Sequence, residues 1–300
     1  MDGFINVYKE QGETSHQIVS KVRRILNMRK VGHTGTLDPL ATGVLPVCVG
    51  KATRAAEFLL EGTKTYLATF ILGLETDTQD TTGTVLHEAP VLDGIGVGQI
   101  EAAISGFNGE IEQVPPMYSA IKKNGKKLYE LARKGIEVER EPRRITIYHA
   151  QLCGKSDTYP NGYIMRVQCS KGTYIRTLCA DVGRALGTGA VMAQLCREKS
   201  GIFTSDNAIT IGQLEQLAAE NRLDEAIQPI DGIFLQYPVL TLDAVQSKMV
   251  RNGLTLTLGR VENSAACDGR VRIYDEEGKF LMLADADHET DALSMIKGFY

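Results

Sequence analysis

The 300-residue chain has no Cys-x-x-Cys pair and no paired histidines, and its six cysteines (Cys48, Cys153, Cys169, Cys179, Cys196 and Cys267) stand at wide, irregular spacings. The common zinc sets are thereby excluded, and the thiols read as reduced core residues. A long apolar run is missing too: the longest tight stretch, VLPVCV, is far too short to span a bilayer. The start, MDGFINVYKE, has an acid at position 2 and no basic segment leading into an apolar run, so nothing in it resembles a secretory signal. The expectation is a soluble, cytoplasmic protein. No internal repeat or low-complexity segment occurs. Gly50-Lys51 is no phosphate cradle, because the Walker spacing wants glycine where Leu45 stands and a hydroxyl where Ala52 stands. The acids of LETDTQDTTGTV lack the calcium-loop pattern and its terminal glutamate.

What remains is an ordinary globular composition, 43% apolar, long enough for two domains. The formal charge of −4 does not point to a nucleic-acid partner, but its distribution does. Between Ile121 and Ile145 nine basic residues meet four acids, directly after the rigid, aromatic VPPMYSA. A turn followed by a lysine-rich segment suits an insertion that grips RNA better than a plain solvated helix. A second cluster, KVRRILNMRK from Lys21 to Lys30, has five basic residues and no acid.

Periodicity predicts an amphipathic helix over SHQIVSKVRRIL with Ser15 as its cap, a strand over Lys64 to Gly73, and a helix over VGQIEAAISGF. YIMRVQCSKGTYIRTLCADVGRALG reads as a strand, a turn, and a helix from about Tyr174 to near Gly187. Beyond Pro238 the texture changes to short β-like pieces, which sets a domain boundary at about 236.

The stretch GHTGTLDPLATG, residues 32 to 43, holds one carboxylate, Asp38, with no second acid, lysine or cysteine beside it. An Asp-Pro pair is commonly an N-cap with proline at the first helical position. Arg176 is unusual for a separate reason. It falls in the first turn of its predicted helix, where the macrodipole disfavours a cation by a few tenths of a kcal/mol unless an anion sits beside it.

Taken together, GHTGTLDPLATGVLPVCVGKATR closely resembles the catalytic motif of the TruB family of tRNA pseudouridine synthases, and KTYLA, PPMYSAIKKNGKKLYELAR, CSKGTYIRTLCADVGRALG and SGIFTSDNA follow in the family order. The resemblance implies that Asp38 is the nucleophile that isomerises uridine to pseudouridine at position 55 of the tRNA T loop, with no cofactor and no metal. It matches Tyr66 to the tyrosine that stacks on the flipped uracil, Arg176 to the arginine that pairs with the aspartate, and His33 to the histidine that fills the vacated stack. Tyr174 and Leu195 match residues lining the base pocket. Many relatives carry two basic residues after this leucine, whereas here Cys196 precedes Arg197, which puts one RNA-backbone contact in doubt.

The implied fold is α/β (α+β), with a mixed, largely antiparallel sheet over residues 1–236 and a small, mostly-β, PUA-like RNA-binding domain over 237–300. The basic insertion, about 115–145, would close on the T arm of a tRNA, with Lys122, Lys123, Lys126, Lys127, Arg133, Arg143 and Arg144 as backbone contacts. The expected enzyme is a monomer with no membrane association. Two other readings stand beside it: an RNA-folding helper with a vestigial site, and a hydrolase using Asp38. The hydrolase would need a second carboxylate across the scissile bond, and neither Asp77 nor Asp80 is obviously placed for that.

Overall fold

A computed structural model describes residues 1–90, 95–123 and 125–300. The chain runs β1 (Gly3–Lys9), α1 (Ser15–Ile25), β2 (Val31–His33), β3 (Thr42–Val49), α2 (Ala56–Leu60), β4 (Lys64–Leu72), β5 (Leu74–Thr76) and β6 (Val85–Glu88). It continues through α3 (Val97–Ser105), β7 (Gly109–Gln113), β8 (Lys122–Lys123), β9 (Lys126–Lys127), α4 (Leu128–Ala132), β10 (Arg143–Lys155), β11 (Gly162–Cys169) and α5 (Ile175–Ala185). Last come β12 (Ala190–Ser200), β13 (Phe203–Thr204), α6 (Ile211–Ala219), β14 (Val239–Leu242), α7 (Ala244–Arg251), β15 (Leu256–Thr257), β16 (Gly269–Asp275), β17 (Phe280–Asp287) and β18 (Ala292–Gly298).

The main sheet has the order β1-β3-β12-β4-β11-β10-β7, with β2 added to β3 and β13 to β12. Every pairing is antiparallel except β3 with β12, which run parallel through Cys196↔Thr42 and Arg197↔Gly43. The strands alternate between two cores, as a period of two requires. Ile5 and Val7 of β1 and Leu45, Val47 and Val49 of β3 point into a core closed by α1, α3, α5 and α6. Phe4, Val44 and Cys48 point the other way, into a cluster that also takes Phe234, Leu283 and Phe299. This fits the expected α/β class with a largely antiparallel sheet.

The C-terminal strands form a second sheet, β14-β16-β17-β18-β15, around a core of its own. It is tied to the first by aromatic packing, with Phe234 meeting Phe58 edge-on at 5.1 Å and lying 6.1 Å from both Phe280 and Phe299. Because Phe234 is fully buried among these rings, Phe234→Ala is expected to cost about 3–5 kcal/mol of stability. Denaturant unfolding checks this, and a loss below about 1 kcal/mol would show that the cluster collapses around the gap.

Three local expectations change. The cap of α1 is Thr14, whose hydroxyl accepts from the Gln17 amide at 3.2 Å while the Gln17 side chain accepts from the Thr14 amide at 2.7 Å. Ser15 is instead buried inside the first turn. No helix follows Asp38: the carbonyl of Asp38 accepts from the Ala41 amide at 3.0 Å in a single turn with proline at its second position. Cys153 is exposed on β10 rather than in the core, whereas Cys48, Cys169, Cys179 and Cys267 are buried.

Candidate active site

Since β2 and β3 pair from Val31↔Val49 to His33↔Val47, residues 34–41 must bulge from the end of the sheet as a loop. Three anchors stiffen it. The Ser15 hydroxyl accepts from the Leu37 amide at 2.8 Å and donates to the Leu37 carbonyl at 3.1 Å. The Gly12 amide donates to the Pro39 carbonyl at 2.8 Å. Lys9, fully buried at the end of β1, donates to the carbonyls of Ala41 (2.5 Å), Glu10 (3.0 Å) and Pro39 (3.4 Å). Burial pulls the Lys9 ammonium down to about 8. Where the loop rejoins the sheet, Gly43 has a φ of +100°, and a Cβ there would run into the backbone of Arg197. Only glycine lets β3 lie this close to β12.

The loop holds Asp38 with its side chain 39% exposed and its Oδ2 2.9 Å from Nε of Arg176. Arg176 is the second residue of α5, and its side chain is buried. Its Nη1 donates to the Thr78 carbonyl at 3.0 Å and its Nη2 to the Tyr118 carbonyl at 2.7 Å. The anion that this position calls for is therefore present. One planar guanidinium gathers the Asp38 loop, the turn between β5 and β6, and the base of the basic segment.

A second carboxylate stands on the same guanidinium, which sequence reasoning did not place. Asp80 Oδ2 lies 3.6 Å from Arg176 Nη1. Asp80 is buried, and its Oδ1 accepts from Thr78 Oγ1 (2.7 Å), the Thr82 amide (2.9 Å) and Thr82 Oγ1 (2.6 Å). So occupied, it backs the arginine and does not face a substrate from across a bond. Asp77 is engaged elsewhere, accepting from the Tyr118 hydroxyl at 3.2 Å and the Thr84 amide at 2.8 Å. Among the described residues, neither Asp77 nor Asp80 forms the paired-carboxylate geometry of a glycoside hydrolase with Asp38.

The sheet supplies the rest. Tyr66 lies half-buried on β4, opposite Arg197 of β12. Burial pushes its phenol up, and the charge of Arg197 offsets part of that rise. Leu195, buried on β12, sits opposite Ala68. Tyr174 caps α5; its amide donates to Gln113 Oε1 at 2.8 Å and its carbonyl accepts from Gln113 Nε2 at 3.1 Å. Its phenol is also raised, chiefly by burial. The negative charge of Asp38 adds to the rise at both tyrosines, so the three share one electrostatic environment. His33 ends β2, half-exposed, with Nδ1 accepting from the Gly35 amide at 3.3 Å. Burial, reinforced by the charges of Arg197 and His16, lowers its pKa and keeps it neutral at pH 7.

Arg197 is not available to an RNA backbone. It is 1% exposed and donates to the carbonyls of Val44 (Nε, 2.7 Å) and Gly35 (Nη2, 3.3 Å). Its sequence signal was an arginine two places after a pocket leucine, which does not tell burial from exposure.

The basic segment folds as the β8–β9 hairpin followed by α4; residue 124 within it lies outside the described residues. Lys122, Lys123, Lys126, Arg133, Arg143 and Arg144 are exposed. Lys127 is half-buried, its ammonium 5.4 Å from the Tyr129 ring centre, with Arg133 also 5.4 Å from it. The other basic cluster is partly consumed by structure: Lys21 pairs with Glu13 at 2.5 Å, and Arg23 donates to the Val31 carbonyl at 2.7 Å. Among the described residues no cluster of three or more His, Cys, Asp or Glu side chains could hold a metal ion, and no helix is long and apolar enough to cross a membrane.

Comparison with known proteins places the chain in a family. Residues 23–175 match the N-terminal domain of TruB family pseudouridylate synthases, and 176–235 match the C-terminal domain of tRNA pseudouridylate synthase B. Residues 238–290 match the C-terminal region of pseudouridine synthase II TruB. The tRNA pseudouridine synthase B of Alkaliphilus oremlandii is 48% identical over 253 residues, 84% of this chain and 82% of that protein. That of Clostridium perfringens is 44% identical over 290 residues, 96% of each. Among solved structures, a Cbf5-Nop10-Gar1 complex contains a chain that superposes with a TM-score of 0.73 at 28% identity, covering 99% of this chain and 85% of the other.

Proposed function

The chain belongs to the TruB family of pseudouridylate synthases, and from that premise we propose how its own residues isomerise uridine to pseudouridine in tRNA. Asp38 is the nucleophile. The observation that carries this is its place as the solvent-open carboxylate of a rigid loop, aimed by a buried guanidinium 2.9 Å away. A carboxylate that attacks C1′ of the ribose splits one difficult exchange into two easier ones, release of the uracil and its return through C5. Arg176 orients the carboxylate, Tyr66 stacks on the flipped uracil, and Tyr174 and Leu195 line its pocket. Neutral His33, at the rim, takes the place that the flipped base leaves in the stack.

The target is position 55 in the T loop, and the protein works as a cytoplasmic monomer on the T arm. Six free thiols, four of them buried, suit a reducing compartment. Residues 1–236 form the catalytic domain and 237–300 a PUA-like RNA-binding domain, each sheet having its own buried core. Lys122, Lys123, Lys126, Lys127, Arg133, Arg143 and Arg144 grip the backbone. Tritium release from tRNA carrying 5-tritiated uridine tests the activity. Mapping pseudouridine in tRNA from cells lacking the protein tests the position, and an unmodified residue elsewhere than 55 would overturn it.

The basic segment makes its own prediction. Lys122, Lys123 and Lys126 form no ion pair among the described residues, although the Lys123 ammonium donates to the Glu139 carbonyl at 2.5 Å, so no carboxylate neutralises the charge they offer to phosphates. Replacing Lys122, Lys123, Lys126 and Lys127 by alanine is expected to weaken tRNA binding and to lower the log–log salt slope by up to about 0.7–0.9 per lost phosphate contact. Binding titrations at several salt concentrations check it; an unchanged slope would leave these lysines as solvated surface.

A further inference from the structure

The buried cations around the Asp38 loop differ in what balances their charge. Lys9 is surrounded by three carbonyls, Lys64 donates to the carbonyls of Leu59, Leu60 and Gly62, and Arg176 meets two carboxylates. Arg197 is as deeply buried as any of them and, like Lys9 and Lys64, forms no ion pair among the described residues; but burial pulls both lysines down to about 8, whereas Arg197 keeps its charge, donates to two carbonyls and acts on the Tyr66 phenol. A guanidinium has five N–H donors and cannot shed its charge at neutral pH. Keeping it buried and electrically unbalanced is costly, and an apolar residue of similar volume would fit such a position at least as well.

Its location suggests what the charge is for. Arg197 sits on β12 between Gly43 of β3 and Tyr66 of β4, and directly opposed residues on neighbouring strands share a face. It thus lies beside the aromatic ring assigned to the uracil and donates to the carbonyl of Gly35 in the nucleophile's loop. Charge moves during the reaction. As an Asp38 oxygen bonds to C1′, the N1–C1′ bond breaks and its electron pair leaves with the uracil. The carboxylate's negative charge is then spent in an ester, and the detached base is the anion. When C5 bonds to C1′, Asp38 departs as a carboxylate, the C5 proton is lost and N1 gains one. The anion therefore starts beside Arg176 and travels to the base, while Arg176 stays held by the Asp80 carboxylate and the Thr78 and Tyr118 carbonyls.

We propose that Arg197 is a positioning residue for the isomerisation: acting through its strand neighbour Tyr66 and the Gly35 carbonyl, it supplies a fixed positive charge on the side of the detached uracil. This rests on the reading of Asp38 as nucleophile. A preorganised charge of this kind assists the step in which the opposite charge develops and contributes little to holding the substrate beforehand.

The test compares Arg197→Met, Arg197→Gln and Arg197→Lys for single-turnover rate, tRNA affinity and melting temperature, with Asp38→Asn as a control. Methionine and glutamine are expected to slow turnover at least 100-fold, with the dissociation constant within threefold of wild type and the melting temperature held in at least one of them. Lysine, which keeps the charge, should recover at least tenfold of the loss. A normal rate in Arg197→Met or Arg197→Gln would overturn the proposal, as would equal slowing in all three accompanied by a common fall in melting temperature. Inactive Asp38→Asn beside a normal Arg197→Met defeats this inference alone; active Asp38→Asn defeats the nucleophile reading itself.

Discussion

Asp38→Asn is expected to lower single-turnover pseudouridine formation by roughly three orders of magnitude or more, a barrier increase of about 4 kcal/mol or greater. The anchors of the loop explain why the effect should be confined to chemistry. Ser15, Gly12 and Lys9 hold it through backbone groups of Leu37, Pro39 and Ala41, and the turn at Asp38 is closed by a backbone hydrogen bond. None of these needs the carboxylate. The asparagine carbonyl can still accept from Arg176 Nε, and Asp80 still balances the guanidinium. What the amide cannot do is attack as an anion and later leave. Affinity comes mainly from phosphate contacts and from the pocket for the flipped base, so the dissociation constant should move by less than about tenfold. Rate, affinity and melting temperature measured on one preparation check all three, and a stable variant that isomerises uridine normally would sink the assignment.

Arg176→Lys should be nearly as damaging by a different route. The guanidinium reaches Asp38, Asp80, the Thr78 carbonyl and the Tyr118 carbonyl through three nitrogens in one plane. An ammonium is a single point of charge and cannot span that set. Two buried carbonyls and the inner carboxylate would lose donors, at a cost of about 3–5 kcal/mol if Asp80 is left unpaired. Turnover should fall by about two orders of magnitude, because a carboxylate free to rotate spends little time aimed at C1′. tRNA affinity should change far less, since the exposed lysines and arginines are untouched. Thermal unfolding and single-turnover kinetics give the two readouts; wild-type turnover in Arg176→Lys would remove its orienting role.

Much of this site could be read along the chain because its signals are local. The Asp-Pro turn between glycines, the β4 strand around Tyr66, and the cation at the start of α5 each declare themselves within a dozen residues, and the structure finds Asp38 and Arg176 in contact. What escaped depends on distant pairing. Arg197 and the Val44 carbonyl it holds are 153 residues apart, and only the insertion of β12 between β3 and β4 turns a surface-like arginine inward. Asp80 escaped for the same reason: in a polar, acid-rich turn nothing local distinguishes the one carboxylate that faces a buried guanidinium. The cap of α1 was missed by one residue because Thr14 and Ser15 are both good caps, and the demand of the Leu37 backbone, 22 residues away, decided which hydroxyl was free to serve.

The placement of β12 also fixes an order of assembly during synthesis. Its two neighbours in the sheet, β3 and β4, leave the ribosome well before it, and they do not pair with each other. Until about residue 200 has emerged, the nascent chain can form the β1–β3 ribbon and the β4–β11–β10–β7 ribbon, but the strand that welds them is missing. Each ribbon then presents an unpaired edge, the kind of surface that invites pairing with other chains. Closing the gap joins positions far apart in sequence, which is slow relative to helix or hairpin formation. The Asp38 loop is among the earliest segments made, yet two of the side chains that hold it, Arg176 and Arg197, come from far along the chain, so its final arrangement waits on their synthesis.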